Sequence, residues 1–361
     1  MSLTNKRWFQ FGVGVLLAIL IVKYFLDIVF LFTPLVIIAK TIFFPLLLGG
    51  VLFYMTEPIQ RWLEKKGAPR WSSILAILAM LGVIIWIFIR IIGPPVMDQL
   101  NMLVKNAPEL GERLEGMKDY ALAQRDHLPD NIQEGLDEAA TKAQDIALGF
   151  GKWVLQFAQS FFQAMFLLIL VPFFFIFMLK DHEKLIPFIT QFFTGERKRW
   201  VEKTLNDIND VLRAYIQGQF LISAILATLL LIGYSLIGLE YALLLSIFAL
   251  FMNLIPFIGP WIAVVPAILI ALLQDPTLVI WVAIVTLVAQ QTDSNLITPN
   301  IMGKTLSIHP LTVITLILAA GNLGGFLGIL IVIPTYAVVR AIIANVYEHR
   351  KDIKKAATKT I

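Results

Sequence analysis

The heptapeptide Asn253-Leu254-Ile255-Pro256-Phe257-Ile258-Gly259 returns, altered, as Asn322-Leu323-Gly324-Gly325-Phe326-Leu327-Gly328. Both copies fit N-L-x-x-F-[IL]-G, and each is followed by a further proline, Pro266 and Pro334. Each phrase parts two apolar arms of about 15 residues, short of the roughly 20 that a helical bilayer crossing needs. Short arms around a Gly/Pro tip, at matching places in two repeats, point to the binding site of a secondary transporter. The spacing predicts helical hairpins over 242–273 and 310–340, with tips at Pro256–Pro260 and Gly321–Gly325.

The 361 residues are 58% hydrophobic and 15% charged, with mean hydropathy +0.80. A soluble domain is roughly 45–50% apolar and about 25% charged, so the composition predicts an all-α polytopic membrane protein. The net charge of +4 does not indicate nucleic acid, because the basic residues lie in loops between apolar runs, where they set topology. Cysteine is absent, which excludes disulfides, thiolate metal sites and thiol catalysis. Lys6 and Arg7 precede an apolar run from Phe11 to Val22, as in a secretory signal. Lys23, Tyr24 and Phe25 then stand where small cleavage-site residues belong, so a retained first span is expected.

Six continuous spans are predicted at about 9–31, 34–56, 71–94, 152–179, 214–237 and 277–297, with the two broken segments between and after the last pair. Lys and Arg cluster in the N-terminal tail, after the second span (Arg61, Lys65, Lys66, Arg70), after the fourth (Lys180 to Lys203) and in the C-terminal tail. All four become cytoplasmic if each broken segment returns to its starting side. The expected organisation is an N-terminal membrane scaffold of three spans over 1–95 and an extracellular helical domain over 96–150. The fourth span and a cytoplasmic amphipathic helix follow over 151–213, then a transport domain over 214–345 and a basic cytoplasmic tail over 346–361. In the transport domain the second span-plus-hairpin unit is inverted relative to the first.

Residues 96–150 carry eleven acidic side chains against five Lys or Arg, with two helical apolar stripes. They form either a cap packed on the membrane domain or a lid over a ligand. Val201, Leu205, Ile208, Leu212 and Tyr215 form another stripe, running into the fifth span. That stripe belongs on the membrane surface, against another subunit or against the protein's own core.

From Tyr215 to Val339 the Asp, Glu, Lys and Arg residues are Glu240, Asp275, Asp293 and Lys304. Asp293 alone falls inside a predicted span, among Gln290, Gln291, Thr292, Ser294 and Asn295. An aspartate at a helix centre in a bilayer costs at least about 2.5–3.5 kcal/mol, so it needs a partner, a proton, a cation or water. It is the candidate ion-coupling residue; the alternative is an interfacial cap of the following loop. Gln290, Gln291 and Asn295 beside it join Asn253, Pro256 and Gly259 of the first tip and Asn322 of the second as the candidate solute-binding set. Broken helices free backbone amides and carbonyls at such tips, although each asparagine could simply satisfy its own helix end.

Other motifs do not hold. Gly303-Lys304-Thr305 ends like a phosphate loop, but Thr298 occupies the position of its first glycine. His127, His182, His309 and His349 lack metal-ligand spacing, no Ser/His/Asp set is legible, and neither a cofactor nor an enzymatic activity is expected.

Gln291-Thr292-Asp293-Ser294-Asn295-Leu296-Ile297-Thr298-Pro299, then Gly303-Lys304 and His309-Pro310-Leu311, resembles the autoinducer-2 exporter (AI-2E) family of bacterial permeases. Pro256-Phe257-Ile258-Gly259-Pro260 and the glycine-rich Gly321–Gly328 add to the resemblance, which extends in span order over nearly the whole chain. It implies a multi-pass protein of the bacterial cell membrane, a homopentamer with elevator-like movement, and export of the quorum-sensing furanone autoinducer-2. Some members are instead sodium(lithium)/proton antiporters. The residues leave three functions open: export of a small polar solute, cation/proton antiport through Asp293, and a non-transporting membrane scaffold or sensor.

Overall fold

The computed structural model describes residues 7–103, 105–106, 170–303 and 308–359, and every regular element among them is helical. Helix α1 (Arg7–Ile28) passes through a 3-10 turn, Val29–Phe32, into α2 (Thr33–Lys65). Helix α3 runs from Arg70 to Leu103 with a π turn at Phe88–Ile92. After it come α4 (Leu170–Thr190), α5 (Gly195–Leu236), α6 (Ala242–Met252) and α7 (Gly259–Gln274). Helix α8 (Leu278–Thr292) continues through a π turn, Asp293–Ile297, into α9 (Thr298–Met302). The last helix, α10, covers Pro310–Lys359 and breaks at Gly325.

Among the described residues four helical stretches are long and apolar enough to cross a membrane: Phe30–Lys65, Arg70–Leu103, Gly195–Leu236 and Gly328–His349. The 42 residues of α5 extend about 63 Å at 1.5 Å per residue, twice a hydrocarbon core of about 30 Å. The boundary expected at 213/214 is therefore interior to one helix. Likewise α3 continues past 95 and takes in residues 96–103, the start of the expected outer domain. The rest of that domain from 107 on, and the fourth span up to 169, lie outside the described residues. The expected tail from 346 is helical as far as Lys359.

Among the described residues three apolar cores hold the helices together. Phe53, Ile77, Phe175 and Leu179 join α2, α3 and α4. There the backbones approach closely: a Cβ on Gly49 would lie 3.0 Å from Phe174 Cβ and 3.1 Å from Phe175 N. The second core joins α5, α6, α7 and α8, and Ala242, Ala249, Ala263, Ala267 and Ala271 supply much of it. Lipid tails are as apolar as leucine, so such helices associate by close packing, which small residues permit. In the third, Ile255 of the first tip meets Tyr215, Ile222, Met302, Val313, Ile317 and Ile333.

Both repeated phrases are chain reversals. In the first, Gln274 at the end of α7 donates to the Gly238 carbonyl and accepts from the Glu240 N–H, both at 2.9 Å, so the two ends of the segment meet. In the second, Val313 and Ile317 of one arm share a core with Ile333 of the other. The final glycine of each phrase explains the repeat. A Cβ on Gly259 would strike the Met252 carbonyl oxygen, and one on Gly328 the Ala320 carbonyl oxygen. Only glycine lets each outgoing arm pass that close to the incoming one. The reversals turn at different residues: Phe257 has φ 66° in the first, Gly325 φ 57° and ψ −146° in the second. The arms also differ in length. Those of the first are 11 and 16 residues, whereas the outgoing arm of the second continues past 340.

The hairpins approach α5 from opposite ends. The base of the first sits at Gly238–Glu240, just beyond the C-terminus of α5. The outgoing arm of the second reaches the N-terminal part of α5, where Asn345 Nδ2 donates to Asp207 Oδ2 at 2.8 Å and the Asn345 carbonyl accepts from Trp200 Nε1 at 3.3 Å. The stripe Val201–Tyr215 is half-buried along most of its length and buried at Tyr215, against the protein's own helices.

Candidate solute site at the first hairpin tip

Helix α5 carries a polar ladder on an otherwise apolar face. Gln219, Ser223 and Tyr234 are spaced by four and eleven residues, hence aligned on one side of a helix, and all three are buried. At α6's end, Asn253 is 4% exposed. Its Nδ2 donates to Ser223 Oγ at 3.3 Å, and its main-chain carbonyl accepts from Gln219 Nε2 at 2.6 Å. The last carbonyls of a helix have no intrahelical partner; the one at the break is held by a side chain from α5. Further along, Tyr234 OH and Thr286 Oγ1 of α8 are 3.1 Å apart.

A narrow cleft between α5, α6, α7 and α8 opens onto these groups, lined by Tyr234, Asn253, Pro260, Thr286 and Gln290 among apolar neighbours. It has room for about one water molecule. Its polar groups are amides and hydroxyls, which donate and accept hydrogen bonds without fixed charge. That chemistry suits a small neutral solute once the helices part.

Of the residues singled out by sequence, Asn253 and Gln290 meet at this cleft, and Gly259 and Pro256 build the turn beside it. The others do not gather there. Gln291 and Asn295 are exposed and bond to each other, Asn295 Nδ2 donating to Gln291 Oε1 at 2.9 Å. Asn322 is exposed, and its Nδ2 returns to the Leu318 carbonyl of its own helix at 3.0 Å. The two tip asparagines are therefore not equivalent. One is a buried link to α5; the other satisfies its own helix.

Asp293 opens the π turn between α8 and α9. It is half-buried, and its Oδ1 accepts from Thr298 Oγ1 at 2.7 Å. No ion pair reaches it among the described residues. A π turn widens the helix by one residue and often marks a functional place; here it carries the acid together with Ser294 and Asn295.

Ser223, Tyr234 and Thr286 escaped the sequence reading, although the four-residue spacing of Gln219 and Ser223 was a signal for the first. So did Glu57 and Arg213, a charged pair between α2 and α5 in which Glu57 is buried and Arg213 half-buried. Glu57 closes the long apolar run of α2, where a carboxylate resembles an ordinary interfacial charge.

Residues 13–348 match the AI-2E family transporter family. The Bacillus subtilis (strain 168) protein named "Putative transport protein YueF" is 33% identical over 357 residues, covering 92% of this chain and 91% of that protein. A second from the same organism, "Putative transport protein YrrI", is 30% identical across 93% of this chain and 96% of its own length. "Putative permease PerM" of Escherichia coli (strain K12) is 26% identical across 83% and 86%. The chain belongs to the AI-2E transporter family, whose members are membrane transport proteins.

Proposed function

We propose that this AI-2E family member is a secondary transporter that exports a small polar solute, autoinducer-2 being the best named candidate. The observation that carries the reading is the buried amide and hydroxyl cluster at the first tip, Asn253 with Gln219 and Ser223, with half-buried Gln290 beside it and two hairpins that approach α5 from opposite ends. In this reading the hairpins enter the bilayer from opposite faces, and movement of the α5–α10 body, elevator-like, presents the cleft to each side in turn. The protein sits in the bacterial cell membrane as a homopentamer, with both termini cytoplasmic and 96–150 outside. Purified protein in liposomes tests the function: autoinducer-2 efflux above that of empty vesicles supports it.

A second reading is favoured by Asp293. A half-buried acid in a π turn, hydrogen-bonded to Thr298 and without an ion-pair partner among the described residues, is equipped to alternate between a proton and Na⁺ or Li⁺. Sodium-driven proton flux in the same vesicles, with no autoinducer-2 efflux, would make antiport the function.

A further inference from the structure

Glu57 is 1% exposed, yet its carboxylate is ionically paired on both oxygens. Arg213 grips it with Nε to Oε2 at 2.6 Å and Nη2 to Oε1 at 2.9 Å, and Arg61 Nη2 adds 2.7 Å to Oε1. Asp210 Oδ1 accepts from Arg213 Nη1 at 2.8 Å, so two acids and two arginines balance. The bridge crosses from α2 to α5, that is, from the N-terminal helices to the body bearing the hairpins. Two more bonds join the same pair of helices: Tyr54 OH to Asn209 Oδ1 at 3.0 Å, and Gln217 Nε2 to the Tyr54 carbonyl at 2.6 Å.

We infer that the Glu57–Arg213 pair is a charge latch that holds the hairpin body against the N-terminal helices and keeps the cleft closed. A buried ion pair gives little net stability, because desolvation offsets the attraction, and its best-attested role is to select one arrangement over others. The link to the cleft is short and continuous. Six residues beyond Arg213 on the same helix, Gln219 holds the Asn253 carbonyl, and Gln217 between them is bound to α2. If α5 slides or tilts against α2, the bidentate pair breaks and the tip moves with it. Such a two-state contact is what coupling between distant places requires.

The latch presupposes alternating access, so its test reads the cleft rather than flux. In this cysteine-free chain, Gln290→Cys places one thiol at the cleft. In proteoliposomes its reaction rate with a water-soluble maleimide reports opening without any solute. Glu57→Gln/Arg213→Gln, which removes both charges together, is expected to raise that rate at least ten-fold. The full exchange Glu57→Arg/Arg61→Glu/Asp210→Arg/Arg213→Glu, which reverses every charge of the cluster, should bring it back toward the parent. A thiol introduced by Ile77→Cys, in the core of α2–α4, should stay unreactive in both. An unchanged or slower rate in the neutral double variant overturns the latch, as does equal acceleration at position 77, which means general loosening. A chain that carries neither autoinducer-2 nor ions but still shows the acceleration keeps the latch and loses the transport reading.

Discussion

Gln219 Nε2 of α5 donates at 2.6 Å to the main-chain carbonyl of Asn253, the residue at which α6 breaks. The bond ties α5, which lines one side of the candidate site, to the tip of the first hairpin. Gln219→Ala should leave that buried carbonyl unpaired, at a cost of about 1–3 kcal/mol. A lower melting temperature in detergent, together with lost efflux, is expected. An unshifted melt would mean that water replaces the amide.

The closing glycines predict a paired result. Gly259→Ala and Gly328→Ala each put a methyl group against a backbone carbonyl that cannot move without opening the hairpin. Overpacking typically costs about 1–3 kcal/mol, and backbone contact places these two at or above the upper end. Gly324→Ala, whose Cβ meets open space, is the control and should be near neutral. Yield of monodisperse protein and thermal melting distinguish the three.

Packing of the first hairpin gives another test. Ala267 and Ala271 are fully buried where α7 meets its neighbours. Ala267→Leu should destabilise by about 1–3 kcal/mol because the helices cannot separate to admit the larger side chain. Equal stability to the parent would show that the α6–α7 contact is slack.

For Asp293, Asp293→Asn should abolish any proton- or sodium-linked flux in a folded, membrane-inserted protein. Thr298→Val, which removes the hydroxyl donor to its Oδ1, should shift the pH dependence of that flux while leaving it measurable. Wild-type transport by Asp293→Asn, with unchanged pH dependence, would reduce the acid to a cap of the π turn.

Outside the spans, the Arg70 guanidinium donates to Glu183 at 2.7 Å and holds its carboxyl below the usual range. A depressed folded-state pKa means that the stabilisation is present above the unfolded value, near 4, and fades as pH falls through the folded one. Melting temperature should therefore drop below about pH 4, and Glu183→Gln should flatten part of that drop. The effect is small, because the carboxylate is 65% exposed and solvent screens it.

The sequence by itself determined the class of protein, the two chain reversals and the glycines on which they close. Apolar composition leaves a bilayer as the only medium, and a Gly/Pro tip between short arms has few helical solutions. It also supplied the isolation of Asp293, since charge within an apolar run is a local property. Tertiary structure decided which polar residues work together. Asn253 and Asn322 occupy the same place in the repeat, yet one is buried against Ser223 and Gln219 while the other is exposed and bonds to its own helix. The difference comes from α5, which passes the first tip with a polar face. The Glu57–Arg213 pair was equally hidden: the residues are 156 apart, and burial of the Glu57 carboxylate becomes tolerable only when a fold brings the two into bidentate contact.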